Sequence, residues 1–197
     1  MVYLSRFSDT ENRHLVVVKQ LIMNDIISHD KLNIDGEPLL HYAAKRGRLD
    51  IVKFLVEDKN LDFNTVDASG DSPLSIAADN GHVNVVKYLV EAKRANFNVV
   101  YGNGWSLLHY AASCGKLDVI KFFVEEKDAD FDATTSNGFT LLHAAAKKGH
   151  LDVVKYLIND KKAAMKVVID NAWTILHYAV LSGNLELVRF LVDAKKV

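Results

Sequence analysis

Apolar residues along this chain come in blocks, and the blocks return every 34 positions. Two patterns follow one another within each block. The first is a short run with small residues at its centre: PLLHYAAKRG at 38–47, SPLSIAADNG at 72–81, SLLHYAASCG at 106–115, TLLHAAAKKG at 140–149 and TILHYAVLSG at 174–183. The second starts after the glycine and is denser in apolar positions, as in RLDIVKFLVED (48–58), HVNVVKYLVEA (82–92) and HLDVVKYLIND (150–160). Val153, Val154, Tyr156, Leu157 and Ile158 are too many for one narrow stripe and predict a helix buried between two neighbours. A periodic unit that cannot close its own core marks a repeat architecture, in which stacked copies bury one another.

Punctuation between the blocks predicts helix, turn, helix and extended loop in each unit. Ser72, Ser106, Thr140 and Thr174 precede the first helix, where a hydroxyl can accept from an orphan amide. Pro73 follows at a first-turn position that tolerates a missing amide proton. Glycines at 47, 81, 115, 149 and 183 suit a left-handed helix end. Ala-Ala pairs at 43–44, 77–78, 111–112 and 145–146 keep one helix face thin. Asp50, Asp118, Asp152 and Glu186 open the second helix with an acid favoured at the positive helix end, and neutral Asn84 departs from the series. Asp35-Gly36, Ser69-Gly70, Asn103-Gly104 and Asn137-Gly138 are turn signals in the loops. Residues 1–35 read as a worn copy in the same phase, because Leu15, Val17, Val18, Leu21 and Ile22 stand 34 positions before Leu49, Ile51, Val52, Leu55 and Val56. Phe7 takes the histidine slot there, and the stretch is expected to be an N-terminal cap.

The segments SPLSIAADNGHVNVVKYLV and TLLHAAAKKGHLDVVKYLI closely resemble the ankyrin repeat signature, and the likeness extends over the whole chain. It implies an all-α fold: a solenoid of stacked helix-turn-helix units with β-turn or hairpin finger loops. One domain over 1–197 is expected, with the cap at 1–35, internal repeats at 36–69, 70–103, 104–137 and 138–171, and a truncated final repeat at 172–197. The family usually repeats every 33 residues. The extra residue here falls at the end of the second helix, at Lys59, Lys93, Lys127 and Lys161. That lengthened form is similar to ankyrin arrays of intracellular bacteria and some protists, which would place the chain in a host cytosol. Asp62-Phe63-Asn64 becomes Ala164-Met165-Lys166 in the last finger, and Ala172 replaces the turn glycine, so a less regular finger is expected there. Leu187, Val188, Phe190, Leu191 and Val192 persist in the final helix, where a terminal cap should turn polar. The pattern implies a longer array or an end covered by something else; a monomer is expected unless that helix self-associates.

Composition narrows the partners. Lys and Arg total 24 against 25 Asp and Glu, so the basic excess that nucleic acids and anionic membranes reward is missing. Cys114 is the single cysteine and cannot form an internal disulfide. Asp9 and Glu11 interrupt the N-terminus, which therefore does not read as a signal peptide. No apolar run reaches the roughly 20 residues a membrane span needs. A cytoplasmic setting, no membrane insertion, no nucleic acid and no cofactor are expected.

Candidate chemistry is sparse. His41, His109, His143 and His177 hold one register, with Ser75 in the remaining slot. Equivalent residues of stacked helices lie about 10 Å apart, whereas zinc ligands converge at about 2 Å, so the histidines are expected to bond locally at the finger bases and bind no metal. Cys114 has no base–orienter pair beside it, and Gly102-Asn103-Gly104 lacks the lysine and helix of a phosphate loop, so no catalytic residue is expected. By the resemblance, variable groove positions precede each helix-turn glycine: Lys45-Arg46, Asp79-Asn80, Ser113-Cys114, Lys147-Lys148 and Leu181-Ser182. They differ in every unit while their surroundings repeat, which would follow from partner contact or from drift on a solvated face. The position after the turn glycine reads Glu37, Asp71, Trp105, Phe139, Trp173, with Tyr101 nearby. Trp105, Phe139 and Trp173 are expected either to form a ridge of anchors for a partner protein or to pack the finger bases. Lys147, Lys148, Lys45 and Arg46 would flank the ridge with positive charge, and Asp79 is the acidic interruption. A non-catalytic protein-binding module is the reading these residues favour; a structural spacer within a larger protein is the alternative, and a nucleic-acid module a weaker one.

Overall fold

The structure, a computed structural model, describes residues 38–101, 104–165, 169 and 173–194, together with Val16, Lys19 and Gln20. Apart from those last three and Lys19's ammonium 4.9 Å above the Phe54 ring, the expected cap at 1–35 lies outside the described residues. Ten α-helices occur among the described residues, in five helix-turn-helix pairs. These are α1 (Leu39–Lys45) with α2 (Leu49–Lys53), α3 (Pro73–Asn80) with α4 (Val83–Lys87), and α5 (Leu107–Ser113) with α6 (Leu117–Lys121). They continue as α7 (Leu141–Lys148) with α8 (Leu151–Lys155), and α9 (Ile175–Ser182) with α10 (Leu185–Ala194). The chain divides into two compact units, Met1–Ala77 with Asn84–Ala95 and Ala78–Val83 with Asn96–Val197.

Start signals act as the sequence predicts, with one refinement. The hydroxyl of Thr140 accepts from the amide of His143 at 3.3 Å, and the His143 ring closes the reciprocal bond, its Nδ1 accepting from the Thr140 amide at 3.3 Å. That is a capping box with histidine in the place glutamate usually takes. Gly149 ends α7 at φ 78°. At Gly115 (φ 68°) the glycine is required twice over, since an added Cβ would sit 2.5 Å from Nδ1 of His150.

The extra residue of the 34-residue period has a definite form. α2, α4, α6 and α8 each run on into one π-helical turn: Phe54–Asp58, Tyr88–Ala92, Phe122–Glu126 and Tyr156–Asp160. A five-residue bond closes the turn, from the Lys59 amide to the Phe54 carbonyl at 3.2 Å and from the Lys161 amide to the Tyr156 carbonyl at 3.2 Å. A residue inserted into a helix is absorbed in this way without losing the register beyond it. The chain leaves through a left-handed residue that is never glycine: Asn60, Arg94, Asp128 and Lys162, with φ from 52° to 60°. Asx turns then open the fingers, the side chain of Asp62, Asn96 or Asp130 accepting from the amide two residues on, at 2.9 Å in each case.

In the first unit α1 packs on α2, over a core that includes Leu40, Ile51, Val52, Leu55 and Leu89. In the second, α5 packs on α7 and α7 on α9 to make a layer of first helices, and each carries its own second helix on the outside. Ala112 and Ala146 are fully buried between these layers, as a thin face requires, with Phe122, Phe123, Leu157 and Leu187 filling the space behind. Along the outer helices the Tyr156 hydroxyl donates to Glu125 at 3.0 Å, and Lys161 pairs with the same carboxylate at 3.8 Å. Tyr88, Glu57 and Lys93 make the same triad in the first unit, at 2.9 and 3.4 Å.

Candidate functional site

Two of the fingers are tied to a histidine of the unit before, while Ser75 takes the histidine slot ahead of the Tyr101–Trp105 turn. In the 134–140 finger the Thr135 amide donates to the Phe139 carbonyl at 3.0 Å and the Gly138 amide to Thr135 at 2.9 Å. His109, from the unit before, donates through Nε2 to that same Phe139 carbonyl at 3.2 Å, while its Nδ1 faces the Ser106 hydroxyl at 2.8 Å. One ring thus ties the start of its own helix to the base of the next finger. His41 ties to the Thr65 carbonyl likewise, at 3.1 Å. Burial lowers the affinity of His109 for a second proton, against the weaker opposing effect of its bond to Phe139. His41 and His109 each make a local bond at a finger, and among the described residues no three His, Cys, Asp or Glu side chains are grouped to hold a metal.

The three aromatics after the turn glycine do not stand alone at helix spacing. Trp105 and Phe139 stack, ring centres 5.7 Å apart and planes 19° from parallel. Tyr178 meets Phe139 edge-on at 5.5 Å and Trp173 at 5.1 Å, while Tyr110 bridges Trp105 and Tyr101, each at 5.0 Å. Helix-borne tyrosines interleave with the finger aromatics, which closes the expected gap of about 10 Å between units. Of the two readings of this row, Phe139 fits packing at the finger base, being only 7% exposed. Its unit carries Ala144 where the neighbours carry Tyr110 and Tyr178, and the ring of its own helix that meets it is His143, at 5.5 Å. It serves as a floor, flanked by half-buried Trp105 and by Trp173 at 37% exposure.

An open cleft of about 370 Å³ lies over this floor, lined by Trp105, Ser136, Asn137, Phe139, Lys147 and Tyr178. Lys147 and Lys148, in the last turn of α7, are exposed, and neither is in an ion pair among the described residues. The structure therefore brings three of the expected site residues, Trp105, Phe139 and Lys147, into one cavity. A second group forms about Cys114, whose exposed thiol is within electrostatic reach of Asp79, Lys116 and Lys148. Desolvation pushes this thiol up, Asp79 adds to the rise, and the two lysines only partly offset it, which is the opposite of nucleophile activation. Asn80 is exposed, Ser113 half-buried, and Leu181 on α9 is 59% exposed. Lys45 and Arg46 are exposed in the first unit, where the Arg46 guanidinium lies 5.3 Å over the Tyr42 ring.

Sequence reasoning missed the residue after the helix-turn glycine as a strut between units. His150 Nε2 contacts the Ser113 carbonyl at 2.8 Å, and the Asn184 amide donates to the Gly149 carbonyl at 2.8 Å while its oxygen accepts from the Leu187 amide at 3.1 Å. His82, Lys116, His150 and Asn184 share that slot. The chemistry differs from unit to unit, which in the sequence looks like free variation.

Tandem helix-turn-helix pairs joined by turn fingers define a helical repeat protein. The family profile described as ankyrin repeats matches three overlapping segments, residues 8–101, 92–169 and 108–197, and the chain belongs to the ankyrin-repeat family. No curated protein matches it. Ankyrin repeats are generally protein–protein interaction modules and typically non-catalytic. Among the described residues no helix is long and apolar enough to cross a membrane.

Proposed function

We propose that this chain is a non-catalytic module that holds a partner protein through its fingers and the C-terminal ends of its first helices. The observation that carries the reading is the concentration of unsatisfied binding capacity on one side of the second unit. The aromatic cleft, the unpaired Lys147 and Lys148 and exposed Leu181 all lie on the finger side or at first-helix ends. The outer helices present lysines already stacked on aromatic rings, such as Lys121 over Tyr156 and Lys155 over Phe190. A preformed surface of this kind loses little ordering entropy on binding, and a stable complex needs on the order of 800 Å² from each partner.

The test is affinity capture from lysate with the parent chain and two variants of matched fold. Leu181→Glu with Ser113→Arg obstructs the groove side; Lys121→Glu alters the outer helices. A protein retained by the parent and the outer variant but lost by the groove variant supports the reading. Loss with the outer variant alone places the interface elsewhere, and no specific protein in any capture supports the spacer alternative.

A further inference from the structure

The cleft is more specific than a generic groove. Its floor is a continuous aromatic surface, Trp105 stacked on Phe139 with Tyr178 edge-on at the far side. Flat rings set this way present a wide face that rewards another ring by offset or edge contact. Its wall is Lys147, one residue before Lys148, at the C-terminal end of α7. Its other wall is the finger tip, Ser136 and Asn137. The side-chain oxygen Oδ1 of Asn137, a lining residue, already accepts from the Thr135 hydroxyl, which leaves its side-chain nitrogen as a donor. At about 370 Å³ the space is near the lower end of ligand sites, enough for one large side chain and its neighbours.

Charge decides what stands beside that side chain. The chain as a whole is nearly neutral, so the sign comes from local groups. Among the described residues no carboxylate lines the cleft. Asp79 acts on Cys114 alongside Lys116 and Lys148 and is not among the lining residues. The Lys147 ammonium, beside an apolar floor and in no ion pair among the described residues, complements an anion attached to an apolar group.

We propose that the Trp105–Phe139–Tyr178–Lys147 cleft seats an acidic linear segment of a partner protein, with an aromatic side chain on the rings and an adjacent carboxylate on Lys147. The inference rests on the protein-binding reading above and specifies its chemistry. The bound segment runs extended across the finger side, and the Asn137 amide is placed to donate to one of its carbonyls. Lys147 sets the sign of the preferred neighbour and the rings set its shape.

The test is selection of a random twelve-residue peptide display library on the full chain, followed by binding of the enriched peptides to variants. The expected result is enrichment of an aromatic residue next to Asp or Glu, with affinity reduced about tenfold or more by Lys147→Glu. Lys147→Gln should give a smaller loss that vanishes in high salt, and Trp105→Phe should retain binding. Both lysine variants alter an exposed side chain, so folding is preserved. Enriched peptides that lack the acidic neighbour, are indifferent to Lys147→Glu and are displaced by Leu181→Glu with Ser113→Arg overturn the cleft chemistry and leave the groove reading intact. Peptides insensitive to all these variants, or none enriched, overturn both. Tighter binding of a labelled twelve-nucleotide oligo(U), lost with Lys147→Glu, overturns the proposal in favour of base stacking on the same rings.

Discussion

At the scale of single residues, the histidines show how one side chain can serve two elements and what happens when its partner is missing. In the units starting at Ser106, Thr140 and Thr174, Nδ1 receives both an amide and a hydroxyl from the residue three before it. Before α1 that residue is Pro38, which has neither group, and Nδ1 of His41 is buried without a hydrogen-bond partner among the described residues. Pro38→Thr should restore both bonds. A cap is worth about 1 kcal/mol, and losing the proline's restraint on the unfolded chain subtracts a few tenths. The expected net gain is about 0.5 kcal/mol or somewhat more, measured by urea unfolding. The same gain in a His41→Ala background would show that the ring is not involved. The histidine register was legible in the sequence, and so was its local role. The orphaned nitrogen was not, because it depends on which atom faces the cap, and a string of letters gives no atom positions. Which of the two readings holds for Phe139 was not legible for a related reason: it depends on side-chain packing, and Ala144, five positions on, breaks the tyrosine series of Tyr110 and Tyr178.

At the scale of elements, helix boundaries, turn glycines and cap positions could be read directly, since each is fixed by local chemistry. The 34-residue period gave the site of the extra residue, yet not its form. Whether an inserted residue becomes a loop or a wide helical turn depends on packing at the far end, where Phe54, Tyr88, Phe122 and Tyr156 are held in the core. The π turn ends on a left-handed residue, and here the four units differ. Asn60 and Asp128 tolerate that backbone, whereas Arg94 and Lys162 do not have the short polar side chain that favours it. Lys162 recovers some of this cost, because its ammonium donates to the Asn159 carbonyl at 2.6 Å. Arg94→Gly should therefore stabilise the chain by about 0.5–1 kcal/mol, the relief of left-handed strain less the glycine's unfolded-state entropy. Lys162→Gly should give less, and Asn60→Gly about nothing. Equal denaturation midpoints for the three would remove backbone strain as the explanation. The outer triads make a separate prediction. Tyr156→Phe leaves the ring packed and removes only the hydroxyl that donates to Glu125, so a loss of about 1 kcal/mol is expected, and Tyr88→Phe should match it.

At the scale of the whole molecule, the shifted groups add up to a dependence of stability on pH whose two limbs have different owners. His109 binds a proton less readily folded than unfolded, so below its ordinary value of 6.5 the unfolded chain takes up more protons and stability falls as pH falls. Glu57 is held below its ordinary 4.5, first by the Tyr88 hydroxyl, and its contribution is lost only at lower pH. Asp71, pushed above 3.8 by burial, works in the opposite direction in that acid range, so the cleanest acid signal is the one between pH 7 and about 5. Tyr88 and Tyr156 are pushed above 10.0 by burial and by their bonds to Glu57 and Glu125. Each keeps its proton folded where the unfolded tyrosine loses it, so stability is full below about pH 10 and falls as pH rises beyond. The Cys114 thiol, pushed above 9.0 by burial, adds to the alkaline limb from about pH 9. The expected curve of urea midpoint against pH is therefore a plateau from about 7 to 9 with a decline on either side. His109→Gln should lower the plateau and make the drop from pH 7 to 5 shallower, leaving the alkaline limb unchanged. Tyr156→Phe should do the converse, flattening the decline above pH 10 and sparing the acid side. A variant that flattened both limbs would mean that the fold, rather than the named proton, had been altered. Since the histidine belongs to the finger bases and the tyrosines to the outer helices, separate responses would also show that the two faces of the repeat are held by independent chemistry.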